Sequence, residues 1–179
     1  MAWFETITDF QVGREALRVR PYGVIETSGG QFAAVHLRPW PKLFDWSEVW
    51  PLLVPRYHAR GQADRCFLYY NQPRRMPQFL ALKYVVSTSG TSCRTVRSAL
   101  GVLDAIAALK HADAIVCDAA NGRLSDRLLQ RFGWEPHKPR RWHRNYIRRF
   151  YGTYPADANR VAGVEPLPSA QHELPVGSC

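Results

Sequence analysis

The pattern of hydrophobic and polar positions changes along the chain and separates predicted strands from predicted helices. Residues 22–37 contain two β-rich runs on either side of Gly29 and Gly30, which predicts a hairpin because glycine accepts the positive φ of a tight turn. Residues 66–70 and 79–87 are almost continuously apolar, which predicts two strands that are covered on both faces. The short apolar run 114–117 predicts a further buried strand.

Three segments have features of helices. Apolar residues fall three or four positions apart between residues 93 and 109, which predicts the clearest helix of the chain. A second helix is predicted after Asn121, and Gly133 is placed to end it in a left-handed conformation. A third helix, around residues 45–57, is interrupted by Pro51 and Pro55.

The order of these elements predicts an α/β (α+β) fold in which helices form layers on a sheet. We expect residues 1–152 to form a single domain of this class, because a chain of 179 residues suits one hydrophobic core. Residues 153–179 are rich in Pro, Ala, Gly and Val without periodicity, which predicts a disordered C-terminal tail.

Composition restricts the class of protein. The hydrophobic fraction of 46% and the six tryptophans are typical of a globular chain and exclude general disorder. No run approaches the ~20 apolar residues that span a bilayer, and the N-terminus lacks the pattern of a secretory signal. We therefore expect a cytoplasmic protein with no membrane partner. The cysteines and histidines lack the spacing of metal ligands, so no metal site is predicted, and Cys66, Cys93 and Cys117 are expected to be buried and reduced.

The net charge of +9 is concentrated in one segment. Residues 122–152 contain nine Arg and Lys against two acidic residues, whereas the rest of the chain contains fifteen basic and thirteen acidic residues. This asymmetry favours an anionic partner for the segment, although a solvated arginine-rich face would have the same composition.

The local pattern of residues 139–152 fits two secondary structures. As a helix, the segment would place Trp142, Tyr146 and Phe150 on one side, since they recur every four residues. As a strand, it would mix aromatic and arginine side chains on one face, and its aromatic and β-branched content favours this choice. In one functional interpretation, residues 138–151 form a non-catalytic nucleic-acid-binding module, with arginines on phosphates and aromatic rings on bases: Arg141, Arg144, Arg148, Trp142 and Tyr146.

Two polar junctions follow predicted strands. The loop STSGTS, residues 87–92, joins a strand to the start of the clearest helix, where free N–H groups and the helix dipole favour phosphate. The same residues would also suit a simple helix cap by Ser92 or Thr91. Asp118 and Asn121 follow the strand 114–117, where ligands of open sheets collect, but capping of the next helix by Asn121 or Ser125 explains this composition equally well.

The segment 112–150 resembles the C-terminal half of the GNAT superfamily of N-acetyltransferases. The strand AIVC is followed by NGRLSDRLLQRFGW, which is similar to the family's Asn-led helix before a Gly-aromatic pair, and GWEPH and RNYIRRFY take the places of its last two strands. Upstream, FLALKYVVS, STSGTS and the helix from Cys93 take the places of the family's pyrophosphate-binding strand, loop and helix. The resemblance covers Phe79 to Tyr151.

The resemblance implies a mixed, largely antiparallel sheet flanked by helices. It also implies an N-acyltransferase that uses acetyl-CoA or another acyl-CoA, or a catalytically degenerate relative, with a small-molecule or peptide amine as acceptor. The implied cofactor-binding residues are Val85 and Val86 for the pantetheine arm, Ser89, Gly90, Thr91 and Ser92 for the pyrophosphate, and Asn121 and Ser125 near the thiol.

The chain departs from the family's motifs at two positions. STSGTS has one glycine and lacks the leading Arg or Gln of the family's [RQ]-x-x-G-x-[GA] loop. Leu129 stands where a helical tyrosine commonly protonates the departing thiolate. The sequence therefore assigns no catalytic residue, and a structural domain without a ligand is the third interpretation beside the acyltransferase and the nucleic-acid module.

Overall fold

The computed structural model describes residues 5–38, 64–118, 126–138 and 144–158. These residues contain eight strands and three helices of six or more residues. The strands are β1 (Glu5–Ile7), β2 (Tyr22–Ser28), β3 (Gln31–Arg38), β4 (Arg65–Asn71), β5 (Phe79–Ser87), β6 (Ala114–Asp118), β7 (Glu135–Pro136) and β8 (Asn145–Arg149). The helices are α1 (Arg14–Val19), α2 (Cys93–Leu109) and α3 (Asp126–Arg131).

The strands form one mixed sheet in the order β1-β3-β2-β4-β5-β6-β8-β7. Within the described residues, β5 and β6 pair in parallel and the other six neighbouring pairs are antiparallel. The crossover from β5 to β6 contains α2, as a parallel connection requires. The predicted α+β class with a mixed, mostly antiparallel sheet is confirmed.

The predicted hairpin is also confirmed. Strands β2 and β3 pair with Ser28 opposite Gln31, so that only Gly29 and Gly30 form the turn. Their φ angles are 58° and 78°, which are the positive values of a two-residue hairpin turn. Glycine is required here because a side chain at either position would be strained by the backbone conformation alone.

The predicted helix at residues 93–109 forms with those bounds and covers one face of the sheet. It packs across β2, β3 and β4, and its inward residues Ala99, Leu103 and Ile106 are fully buried. Burial of a leucine or isoleucine side chain contributes about 1.5–3 kcal/mol relative to exposure, so this face supplies much of the core. The shorter helix α1 packs against α2, and Leu17 fills the contact.

The prediction that β4 and β5 are covered on both faces is wrong. Burial alternates along β4, and β5 is buried at Leu80 and Leu82 but exposed over most of its second half. On the face away from α2, Tyr69 and Tyr84 pack edge to face with ring centroids 6.3 Å apart, and Tyr84 remains 43% exposed. Apolar residues on this face partly cover one another. A continuous apolar run in the sequence has the same composition whether its residues are shielded in this way or buried under a helix.

The basic segment is a strand where the structure describes it. β8 lies between β6 and β7, with Ile147 opposite both Val116 and Glu135, so the helical alternative is wrong for residues 145–149. Tyr146 and Ile147 are buried, since the strand has neighbours on both edges. Residues 139–143, and with them Arg141 and Trp142, lie outside the described residues.

Several other predictions also fall outside the described residues. They include the proline-interrupted helix at 45–57, the helix start at 121–125 and the chain from residue 159 onwards. After Gly152, the packed chain continues to Ala158: the Tyr154 ring lies 5.0 Å from that of Phe150, and its hydroxyl donates a hydrogen bond to the Ala112 carbonyl. No helix in the described ranges is both long and apolar enough to cross a membrane.

Candidate functional site

The parallel strands β5 and β6 separate partway along the sheet. Their register runs from Phe79 opposite Ala114 to Leu82 opposite Cys117, and β5 then continues to Ser87 while β6 ends at Asp118. The other edge of β5 stays paired with β4 up to Ser87, with a register shift at the Tyr69–Tyr70 step. The second half of β5 therefore has an edge with which no described strand pairs, and we refer to this edge as the β5 cleft.

The residues predicted to contact a pantetheine arm lie on this edge. Both follow Leu82, the last residue of β5 that pairs with β6. Val85 is 37% exposed and Val86 is half-buried. The cleft ends in a row of three side chains on the α2 face, Leu82, Cys117 and Tyr146, which lie on adjacent strands. Burial raises the pKa of the Cys117 thiol to about 12, so it is protonated and a poor nucleophile at neutral pH.

The loop after β5 is held by hydroxyl groups. The Thr91 hydroxyl donates to the Arg65 carbonyl at 2.8 Å and lies 3.0 Å from the Thr88 hydroxyl, which itself contacts the backbone of Arg65. Gly90 has φ 100° and open space around it, and both Gly90 and Ser89 are exposed. Two of the predicted phosphate ligands are thus accessible, whereas Thr91 is engaged within the loop.

Ser92 is the N-cap of α2. Its hydroxyl accepts a hydrogen bond from the Thr95 amide at 3.2 Å, so the capping interpretation of Ser92 is confirmed. Its own N–H and hydroxyl both donate to the Asp64 carboxylate, each at 2.8 Å. A hydrogen bond from the Thr95 side chain, and then the two bonds from Ser92, lower the pKa of Asp64. A protein carboxylate therefore occupies the anion-binding position at the start of this helix.

Thr95 connects this helix start to the hairpin. It is fully buried; its hydroxyl accepts from the Gly30 amide at 2.7 Å, and its carbonyl accepts from the Thr27 hydroxyl at 3.1 Å. The turn of the β2–β3 hairpin is thus fixed beside the first turn of α2. Every polar group of this buried cluster has a partner, which makes it a rigid support for the exposed loop.

The surface around the helix start is basic. Arg65, Arg94 and Arg97 are all exposed, and the side chain of Arg94 lies along Gly30 of the hairpin turn. The Arg97 guanidinium stacks 5.9 Å from the Phe132 ring centroid. The ion pairs found among the described residues do not include any of these three arginines. The first turn of α2 contains no acidic residue.

The arginines of β8 are arranged differently. Arg148 pairs with Asp104 of α2 at 2.8 Å, and it also donates to the Phe132 carbonyl and lies 5.8 Å from the Phe150 ring. Burial raises the pKa of Asp104 to about 7, although the positive charge of Arg148 opposes the rise. Arg149 pairs with Glu135 on the opposite face of the strand.

Arg144 and Tyr146 form a cluster with Asp126 at the start of α3. The Tyr146 hydroxyl donates to the Asp126 carboxylate at 2.6 Å, and Arg144 pairs with the same carboxylate. These two bonds lower the pKa of Asp126, so it is a weak base at neutral pH. The nucleic-acid interpretation needs Arg144, Arg148 and Tyr146 at the surface, but the first is paired with a carboxylate and the other two pack inside the sheet layer.

The remaining predicted residues are divided between accessible and undescribed positions. Asn121 and Ser125, which were predicted to lie near the thiol end of the cofactor, are outside the described residues.

The cysteines differ in their burial. Cys66 is buried and Cys117 is half-buried, but Cys93 is exposed, so the expectation that Cys93 is buried is wrong. Cys93 is the first residue of α2, directly after the Ser92 cap. The described residues contain no group of three or more metal-ligating side chains.

Sequence reasoning missed three of these groups. Asp64 and Thr95 gave no signal, because their contacts with Ser92 and the hairpin join segments that are distant in the chain. Asp104 did give one: it lies four residues after Leu100, on the apolar side of α2, and a buried carboxylate needs a cationic partner.

No family model, curated protein or solved structure matches the chain.

Proposed function

We propose that this chain binds an acyl-CoA through the β5 cleft and is an N-acyltransferase, or a catalytically degenerate relative of one. The observation that carries the proposal is the separation of β5 from β6 after Leu82 while β5 remains paired with β4. Beyond Leu82 no described strand pairs with this edge, and Val85 and Val86 would offer N–H and C=O groups to an extended ligand, as in recognition by strand addition. The two amide groups of a pantetheine arm suit such an edge.

The loop at the end of β5 supports the same ligand. Ser89 and Gly90 are exposed in this loop, where the Ser89 hydroxyl would contact the phosphates beside the Asp64 carboxylate that already accepts from Ser92 at the start of α2. Arg65 and Arg94 add positive charge to this surface. An extended ligand on β5 would therefore direct its neutral arm along Val85 and Val86 and its charged end towards the loop.

Catalysis of acyl transfer would depend mainly on position. Holding an amine against a thioester can contribute about 7–11 kcal/mol to the barrier reduction without a dedicated acid or base. Leu129 is buried at the place where the resemblance implies a tyrosine, so it cannot donate a proton to the thiolate. The acceptor would be an amine of a small molecule or a peptide that enters beside the row Leu82, Cys117 and Tyr146.

Titration calorimetry with acetyl-CoA tests this proposal, using a pair of variants at Ser89. Ser89 is exposed, so neither Ser89→Glu nor Ser89→Gln should change the fold. We expect Ser89→Gln to bind acetyl-CoA within about threefold of the wild type, and Ser89→Glu to bind at least tenfold more weakly, because only the second adds a charge that repels phosphate. Absence of heat and of thermal stabilisation in the wild type at millimolar acetyl-CoA would refute the proposal.

The described part of the basic segment does not favour nucleic acid as a ligand. Arg144 and Arg148 are paired with Asp126 and Asp104 and Tyr146 is buried, whereas Arg141 and Trp142 lie outside the described residues.

A further inference from the structure

Three side chains form a hydrogen-bonded row across the strands β1, β3 and β2. The Thr6 hydroxyl lies 3.0 Å from Nδ1 of His36, and Nε2 of the same ring lies 3.1 Å from Oε2 of Glu26. Thr6 and His36 are directly opposite each other, and Glu26 is a diagonal neighbour of His36, because Val24 is its opposite residue. The register of three adjacent strands thus brings together a hydroxyl, an imidazole and a carboxylate.

This row lies on the face of the sheet away from α2. Val35 and Leu37, which flank His36 along β3, are buried in the core that α2 covers. Successive side chains of a strand point to opposite faces, so His36 lies on the other face. The same alternation applies to Glu26, because its neighbour Thr27 donates a hydrogen bond to the Thr95 carbonyl of α2.

The two contacts of His36 determine which ring nitrogen carries the proton. A carboxylate can only accept a hydrogen bond, so Nε2 is the protonated nitrogen beside Glu26. In the neutral ring, Nδ1 then has a lone pair and accepts from the Thr6 hydroxyl. The order of groups is that of a Ser-His-Asp triad with the two ring nitrogens exchanged, in which the imidazole takes the proton of the attacking oxygen.

Access to the row decreases from the hydroxyl to the carboxylate. Thr6 is exposed, the His36 side chain is 39% exposed and the Glu26 side chain is 20% exposed. Thr6 lies on β1, which is the first strand in the order of the described sheet. A reactant can therefore reach the hydroxyl, while the carboxylate is the most protected of the three groups.

Arg38 adds positive charge to the same face. It follows His36 by two residues along β3, and the register makes it a diagonal neighbour of Thr6. Burial raises the pKa of Tyr69, and the positive charge of Arg38 opposes the rise, which places the guanidinium near this face. Positive charge near Thr6 favours the negative oxygen that forms when a hydroxyl adds to a carbonyl group.

We propose that Thr6, His36 and Glu26 form a second site, which hydrolyses carboxylic esters through an acyl-threonine. Thr6 Oγ1 attacks the carbonyl carbon and its proton passes to Nδ1 of His36. The bond from the acyl carbon to the alcohol oxygen then breaks, and the alcohol leaves with that proton. Water attacks the acyl-threonine with the same help from His36, which releases the carboxylic acid and restores Thr6. Glu26 is a positioning residue, and the site does not use the β5 cleft.

The first experiment measures hydrolysis of p-nitrophenyl acetate by two histidine variants. We expect His36→Asn to lower kcat/KM by at least about tenfold, because it removes the general base. The matched control is His111→Asn: His111 is exposed, and its φ of 53° is one that asparagine tolerates. We expect the control to change kcat/KM by less than about twofold. Equal losses in the two variants would show that any surface imidazole cleaves this ester and would overturn the inference.

Variants of Thr6 test the nucleophile. Thr6→Val keeps the branched shape but removes the hydroxyl, so it should lose as much activity as His36→Asn. Thr6→Ser keeps a hydroxyl and should stay within about threefold of the wild type. Mass spectrometry of acid-quenched protein should locate the acetyl group on Thr6. A fully active Thr6→Val protein, or acetyl groups on other residues alone, would contradict the acyl-threonine.

Glu26→Gln separates positioning from a structural role. Its amide oxygen can still accept from Nε2 of His36, but it lacks the charge that stabilises the imidazolium. We expect kcat to fall by at least about tenfold and KM to change by less than about twofold, since Glu26 does not touch the ester. Binding of acetyl-CoA should be unchanged, so failure here is distinct from failure of the β5 cleft. A lower unfolding temperature with unchanged kcat would mean that these hydrogen bonds serve sheet stability alone, and the inference would be wrong.

Discussion

The arginines of β8 and the arginines at the start of α2 differ in what surrounds them. Arg148 and Arg149 each meet a carboxylate, from Asp104 and Glu135 respectively. Arg94 and Arg97 meet a glycine turn and an aromatic ring instead. The first pair comes from the most basic segment of the sequence, and the second comes from a helix with little net charge of its own.

The difference shows that charge density along a chain does not give the charge of a surface. In β8, alternation of side chains sends Arg148 towards α2 and Arg149 to the opposite face, where acidic residues from other elements neutralise both. At the start of α2, the described residues provide no such partners for Arg94 and Arg97. Of these two sets, only the arginines at the helix start have no carboxylate partner among the described residues, and the three predictions below test this contrast.

The largest effect is expected from Arg148→Met. The variant leaves Asp104 without its cation at a site where its side chain is 8% exposed, and removal of one partner of a buried pair costs about 3–5 kcal/mol. We expect the free energy of unfolding in urea to fall by up to this amount at pH 8, and by less at pH 6, where Asp104 is already protonated. The double variant Asp104→Leu/Arg148→Met should recover most of the loss, and a double variant as unstable as the single one would contradict the ion-pair explanation.

A smaller effect is expected from pH. Burial raises the pKa of Asp104 to about 7, so the folded protein holds a proton on this group more tightly than the unfolded chain does. Stability from this group is therefore complete below pH ~4 and is lost as the pH rises through 7, with a slope of at most ~1.4 kcal/mol per pH unit. Urea unfolding between pH 5 and 7.5 measures it, and Asp104→Asn should remove this component of the slope. A slope identical in Asp104→Asn and the wild type would refute the assignment to Asp104.

The smallest effect is expected from Arg149→Gln. Its partner Glu135 is 65% exposed in its side chain, and pairs in such surroundings contribute about 0–1 kcal/mol. We expect a loss below ~0.5 kcal/mol by urea unfolding, diminished further in high salt. A loss comparable to that of Arg148→Met would mean that the two arginines of β8 do not differ in the way their burial indicates.

Local chemistry was enough to predict several elements of the fold. The Gly29-Gly30 turn, the helix of residues 93–109 and the left-handed conformation of Gly133 follow from glycine φ preferences and from apolar spacing, which act within a few residues. The covering of β4 and β5 could not be predicted in the same way. A continuous apolar run indicates which residues avoid water. It does not indicate whether a helix, another strand or neighbouring aromatic rings shield them.

The candidate site was predictable only in part. The position of the loop 87–92 between a strand and a long helix was evident from the sequence, and so was the cap at Ser92. The carboxylate on that cap was not, because Asp64 reaches Ser92 through the pairing of β4 with β5. The separation of β5 from β6 also depends on the length of β6, which ends at Asp118 while β5 continues.

The sequence by itself determined the type and the order of the main elements, because turn preference and helical spacing are properties of short stretches of chain. It did not determine the structure of the arginine-rich segment, since its local pattern is compatible with a helix as well as with the strand that its composition favours. Tertiary structure decided that question, because β8 gains hydrogen-bonded neighbours on both edges and Arg148 gains Asp104 only when the sheet and α2 are assembled. For the same reason it decided which arginines remain exposed, as a charge is neutralised by groups near it in space and not by those near it in the chain.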